Sequence, residues 1–149
     1  MMADSTHSPL HQAVVQGNGQ AYVQQITMSH HTMVADEPVA LGGTDTGPSP
    51  YDLLIAALGA CTSITLTMYA RRKNWKLEGV AVTLRHSKIH AADCEECDKR
   101  EGMLDRIDRE IKLEGDLSDE QQTRLLEIAD KCPVHKTLVS EVSIKTRLI

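Results

Sequence analysis

The chain has 149 residues, the size of one domain, and carries a formal net charge of -5 with a pI of about 5.8. That mild acidity excludes the basic footprint that non-specific nucleic-acid binding requires. A monomer of this length buries roughly 68–70% of its unfolded surface. With one Trp, three Tyr and no Phe, Leu, Ile, Val, Ala and Met must build the core, so a homodimer is expected to supply further apolar burial.

Residues 1–10 are polar and are expected to fray, leaving 11–149 as a single domain with no internal repeat. His11 to Val15 and Gln20 to Met28 read as strands around Gln16-Gly-Asn-Gly-Gln20, a hairpin signal, and Thr32 to Ala35 as a third short strand. Leu41 to Pro50 is dense in Gly and Pro and reads as a loop entering a helix, with Ser49 as its cap and Pro50 in its first turn. The helix is predicted from about Pro50 to Lys73. Leu54, Ala57, Leu58, Cys61, Ile64, Thr65 and Met68 share one face, and Leu53, Ala56 and Ala60 are apolar too. A helix apolar nearly all round is buried on most sides, by sheet or by a partner subunit.

Strict alternation over Val80 to Ser87 and again over Ile107 to Leu113 predicts two more strands, flanking a polar stretch from His90 to Gly102. Ser118-Asp-Glu-Gln121 is a capping box for a helix reaching about Asp130, with Leu125, Leu126, Ile128 and Ala129 on its apolar face. Val142, Ile144, Thr146 and Leu148 alternate as a closing strand. The order of elements is α+β. No apolar run is read as reaching the ~18–20 residues a bilayer span needs, and the N-terminus lacks a signal peptide's basic flank. A cytoplasmic protein without a membrane partner is expected, its four cysteines reduced, metal-bound or catalytic.

Two of those thiols stand in settings that suit chemistry. Cys61 lies midway along the apolar helix; taken alone it reads as a core cysteine, since apolar burial makes a thiol inert. Cys132 precedes Pro133, so it sits either at the N-terminus of a further helix or under the end of the previous one. His135 lies close behind it, more often a turn residue than a base. Cys94-Glu-Glu-Cys97 has the spacing of half a zinc site or of a dithiol; a solvated loop with two free thiols is the plainer reading. His86 and His90 precede it but stand roughly 13 Å apart on a regular strand. The glycines at 42, 43 and 47 lack a phosphate-binding pattern, and no cofactor is expected.

Three blocks then carry a resemblance: Gly47-Pro-Ser-Pro-Tyr-Asp-Leu-Leu54, Ala57-Leu-Gly-Ala-Cys61 and Ala129-Asp-Lys-Cys132-Pro-Val-His135-Lys-Thr-Leu138. Together they resemble the OsmC-like family of osmotically inducible and organic hydroperoxide resistance proteins, over about Leu41 to the C-terminus. The resemblance implies an intertwined homodimer with the cysteine helix at its centre. It implies a thiol peroxidase in which Cys61 is the peroxidatic and Cys132 the resolving cysteine, with an external dithiol as reductant and an organic hydroperoxide as substrate. The alternative is a non-catalytic member that binds an apolar small molecule, with zinc at the Cys94/Cys97 loop. Two departures stand out. The peroxidase members carry a glutamate where this chain has Tyr51, with the shorter Asp52 beside it as a supporting candidate. They also carry an arginine in the N-terminal sheet, whereas no arginine here precedes Arg71; His30, His31, Arg71 and Arg72 are the candidate replacements.

Overall fold

The computed structural model describes residues 11–99 and 101–149, so the expectation for residues 1–10 lies outside the described residues. The chain forms two compact units that divide after Leu53. The first holds an antiparallel meander, β1 (Val14–Gly17), β2 (Gln24–Met28) and β3 (His31–Ala35), with β2 in the middle. Val15 pairs with Ile26, and Ile26 with Met33. The first two strands are shorter than their sequence pattern suggested, since Gln20 and Ala21 donate backbone N–H groups to Asn18 Oδ1 and are drawn into the turn.

After β3 the loop to the helix is organised by one buried carboxylate. Asp36, 2% exposed, accepts from the backbone N–H groups of Glu37, Thr44 and Thr46 and from both threonine hydroxyls. The Thr44 hydroxyl leads these donors in holding its carboxyl far below the usual carboxylate range. The Gly- and Pro-rich loop is thus pinned rather than loose, and it delivers Ser49 to the start of α1 (Pro50–Arg72). There Ser49 Oγ accepts from the Asp52 backbone N–H, while Asp52 accepts from the Ser49 backbone and hydroxyl. This reciprocal cap fixes the helix start.

The second unit is built on α1, a long antiparallel hairpin of β4 (Lys76–His90) and β5 (Met103–Asp116), α2 (Asp119–Ala129) and α3 (Pro133–Leu138). Both strands run well beyond their apolar alternation. Their polar ends pair in register, His90 with Met103, and Asp105 accepts from both His86 and Lys88. At the other end a bulge lies between Leu77 and Gly79; opposite it Gly115 has a φ of 132°, and a Cβ there would lie 2.0 Å from the Lys76 carbonyl oxygen. The Ser118/Gln121 capping box forms as the sequence predicts.

The core joins Leu66 and Ala70 of α1 to Leu125, Ile128 and Ala129 of α2, with Trp75, Val80, Ile111 and Leu113 packed around them. Leu126, expected on that face, is 61% exposed. In α1 the buried residues are Leu58, Gly59, Thr62, Leu66 and Ala70. Leu54, Ile64 and Met68, expected to be buried, are 39%, 60% and 57% exposed. The helix therefore has two apolar faces, and the described residues cover only one. It also corrects the expectation that no run is long enough to cross a bilayer: α1 passes that test on length and composition, with a mean hydropathy of 1.7. The predicted closing strand does not form. Residues 141–149 have no regular structure, and Val142, Ile144 and Leu148 are 55%, 84% and 99% exposed. An alternating segment becomes a strand only against a free sheet edge, and among the described residues none receives it.

Candidate active site around Cys132

α2 ends at Ala129, and the chain turns through Asp130 and Lys131 before Cys132 begins α3. Pro133 holds the first position of that short helix, where its missing N–H is not needed. Cys132 is the N-cap, and its sulfur accepts the His135 backbone N–H at 3.3 Å. Of the two placements the sequence allowed, the helix N-terminus is the one adopted, and the thiol is wholly buried.

One side chain, Thr62, meets this sulfur, and Arg109 and His135 join the network around it. Thr62 of α1, also fully buried, places its Oγ1 3.9 Å from Cys132 Sγ and donates to the Leu58 carbonyl at 2.8 Å. Arg109 of β5 reaches in beneath it. Its Nη1 donates to Thr62 Oγ1 at 3.0 Å and to the Ala129 carbonyl at 3.3 Å, and its Nη2 donates to Asp130 Oδ1 at 2.7 Å. His135 Nδ1 lies 3.8 Å from the same Asp130 oxygen. The Arg109 side chain is 12% exposed and Asp130 66%, so the pair is wet on the carboxylate side and dry at the guanidinium.

Arg109 is a largely buried cation that the sequence analysis did not single out. Arg71 and Arg72 end α1 in solvent. His30 and His31 lie exposed at the β2–β3 turn, their rings 4.1 Å apart. The signal for Arg109 was legible in the strand itself, as the one charged residue among Ile107, Ile111 and Leu113 on the inward side of β5. Leu58, Ile107, Arg109, Asp130, His135 and Leu138 help line a cavity of about 440 Å³.

The remaining candidates fall as follows. Cys61 is half-buried on α1, next in sequence to Thr62, and both Cys61 and Cys132 are free thiols. Asp52 belongs to the helix cap, which holds its carboxyl below the usual range chiefly through the Ser49 hydroxyl. Tyr51 is 48% exposed beside it. Cys94 and Cys97 are joined to each other by a disulfide, which corrects the expectation of two free thiols. His86 is bonded to Asp105, and His90 ends β4. Among the described residues no group of three His, Cys, Asp or Glu side chains is arranged to hold a metal ion.

The site and fold define an α+β protein in which a long helix brings a threonine to a buried cysteine, with a second free thiol, Cys61, next to that threonine in the sequence. The chain belongs to the OsmC-like protein family, whose model matches residues 43–147. Among solved structures, an organic hydroperoxide resistance protein from Elizabethkingia anophelis superposes with a TM-score of 0.68 at 17% identity, covering 91% of each chain. The organic hydroperoxide resistance protein OsmC from Legionella pneumophila gives 0.65 at 19%, covering 91% of this chain and 92% of its own. OhrB of Bacillus subtilis gives 0.61 at 19%, covering 91% and 95%. At these identities the likeness is one of fold. No curated protein matches the chain significantly.

Proposed function

We propose that this protein is a cytoplasmic, homodimeric thiol peroxidase that reduces organic hydroperoxides through Cys61 and Cys132. The observation that carries the reading is the buried, capped Cys132 thiol beside Thr62 and Arg109, with the free Cys61 thiol on the adjoining helix residue. In the cycle, the Cys61 thiolate attacks the O–O bond. An alcohol leaves and Cys61 becomes a sulfenic acid. The Cys132 thiol condenses with it, releasing water and forming a disulfide, and an external dithiol returns both sulfurs to thiols while becoming a disulfide itself. The mostly apolar cavity beside Arg109 suits an alkyl tail, which gains from burial.

A second copy of the chain is the reading that accounts for the open face of α1 and for the alternating C-terminal segment, since each presents apolar side chains that the described residues leave exposed. The test is consumption of cumene hydroperoxide with a dithiol reductant. Turnover lost in Cys61→Ser, with a Cys61–Cys132 disulfide detected by mass spectrometry after one equivalent of peroxide, supports the cycle. Equal consumption by wild type and Cys61→Ser leaves the second reading, a member that binds an apolar small molecule in the same cavity without turning over.

A further inference from the structure

The disulfide between Cys94 and Cys97 lies outside the site just described. It closes a four-residue loop at the tip of the β4–β5 hairpin. As a brace it has little to do, because loop-closure stabilisation grows with loop length and this loop is the shortest kind. The hairpin is already shut beneath it. His90 pairs with Met103, Ala91 N–H donates to the Gly102 carbonyl at 2.8 Å, Cys94 N–H donates to the Ala91 carbonyl at 3.2 Å, and Ala91 is wholly buried. Neither sulfur is in the core; both cysteines are half-buried between exposed Glu95, Glu96 and Asp98.

The position of the pair is informative. Cys94 and Cys97 open on a cavity of about 460 Å³ whose floor is Leu104 to Asp108 of β5. The cavity beside Cys132 rests on the same strand, and the two share Asp105 and Ile107. Arg109, which holds Thr62 against the Cys132 sulfur, is one inward position further along. The cavity at the disulfide and the cavity beside the candidate redox site thus meet at two residues of one strand. In the reducing compartment proposed above, a disulfide that braces no long loop is suited to exchange rather than to structural support.

We infer that Cys94 and Cys97 form a redox relay that takes electrons from an external dithiol and passes them to the Cys61–Cys132 disulfide; this rests on the peroxidase reading. In the first exchange a thiolate of the external dithiol attacks one sulfur of the Cys94–Cys97 bond. Its second thiol completes the exchange, leaving that reagent as a disulfide and Cys94 and Cys97 as thiols. In the second exchange a thiolate of this pair attacks the Cys61–Cys132 disulfide. The other thiol closes the Cys94–Cys97 bond again, and two electrons and two protons have passed to Cys61 and Cys132.

The experiment is an anaerobic titration of the full-length protein, fully reduced and desalted, with cumene hydroperoxide. Wild type is expected to consume two equivalents per chain and to finish with no free thiol. The Cys94→Ser/Cys97→Ser variant is expected to consume one equivalent and to lose its remaining pair of thiols. Its steady-state rate with an external dithiol is expected to fall at least tenfold. Wild type that stops at one equivalent with two thiols left overturns the relay while leaving the peroxidase reading intact. Wild type that consumes none overturns both. In Cys61→Ser/Cys132→Ser the Cys94–Cys97 bond must still open to the external dithiol. A bond that resists, or a reduced pair that holds one equivalent of zinc instead, also overturns the relay.

Discussion

Removing Arg109 is the sharpest perturbation of the proposed centre. Its guanidinium makes two bonds to neutral, buried partners, Thr62 Oγ1 and the Ala129 carbonyl, and one to the exposed Asp130. Charge-assisted bonds of the first kind contribute ~1.5–3 kcal/mol each, and they share one side chain, so they do not simply add. The exposed ion pair contributes under ~1 kcal/mol. The Ala129 carbonyl keeps a longer bond from the Cys132 N–H at 3.4 Å, which softens the loss. Arg109→Ala is therefore expected to cost ~2–4 kcal/mol, and at ~2–4 °C per kcal/mol for a chain of this size the melting temperature falls by roughly 5–15 °C. Urea unfolding at one fixed protein concentration measures it, since any dimer makes stability concentration-dependent. Double-mutant cycles separate the contributions: coupling of Arg109→Met with Thr62→Val is expected near ~1 kcal/mol or above, and with Asp130→Asn near ~0.5 kcal/mol or below. An alanine variant within ~1 kcal/mol of wild type, or the opposite order of couplings, would refute the assignment of Arg109 as the buried anchor of Thr62.

The other expectations follow from single observations. Asp36 has a folded pKa below its unfolded value, so its stabilisation is fully present above about pH 4 and is lost as pH falls through and below that range. Acid titration of wild type against Asp36→Asn is expected to show a shallower acid loss in the variant, which starts less stable at pH 7, and parallel curves would count against the cage. Gly59→Ala brings a Cβ within 2.7 Å of Leu84 Cδ1, the movable end of a side chain, while gaining ~1 kcal/mol of helix propensity; thermal melts are expected to agree within about 1 kcal/mol, whereas Gly59→Val should lose more than that. Ile64→Lys with Met68→Lys, on the exposed face of α1, is expected to leave the fold intact by circular dichroism and to shift sedimentation of the proposed dimer to that of a monomer. An unaltered sedimentation profile would separate that face from the dimer.

What the sequence disclosed depended on whether the chain alone decides the outcome. The Ser118/Gln121 box, the Ser49–Pro50 helix start and the alternation of β4 and β5 are local, and each stands where its residues predict. The face of α1 is not local. With apolar residues nearly all round, the periodicity could not say which stripe meets the core. The answer, Leu58–Thr62–Leu66–Ala70, follows from what α2 and the hairpin present to it. The C-terminal alternation was real as a pattern, but a strand needs an edge, and no residue of 141–149 carries information about where one lies. The Cys94–Cys97 bond was missed for a different reason. Spacing alone reads equally as thiols, metal ligands or disulfide.

Arg109 explains how a member of this family can lack an arginine in its N-terminal sheet and still place a cation at the proposed centre. The inward side of β5 is aliphatic around Arg109, at Ile107, Ile111 and Leu113, so a guanidinium buried there must find partners or remain an uncompensated charge. It finds them in the Ala129 carbonyl at the end of α2, in Asp130 one residue on, and in the hydroxyl of Thr62. Each partner is within one turn of a cysteine in the sequence, Thr62 after Cys61 and Ala129 before Cys132. The requirement that satisfies the arginine therefore also draws together the segments that carry the two thiols. On this argument the cation acts first by fixing geometry. Arg109→Lys, with one compact donor group in place of the planar fork, should keep the charge yet lose at least one of the three bonds. If Arg109→Lys forms the Cys61–Cys132 disulfide as fast as wild type after peroxide while Arg109→Met does not, charge alone is sufficient and the geometric account fails. If both are slowed, the fork is what matters.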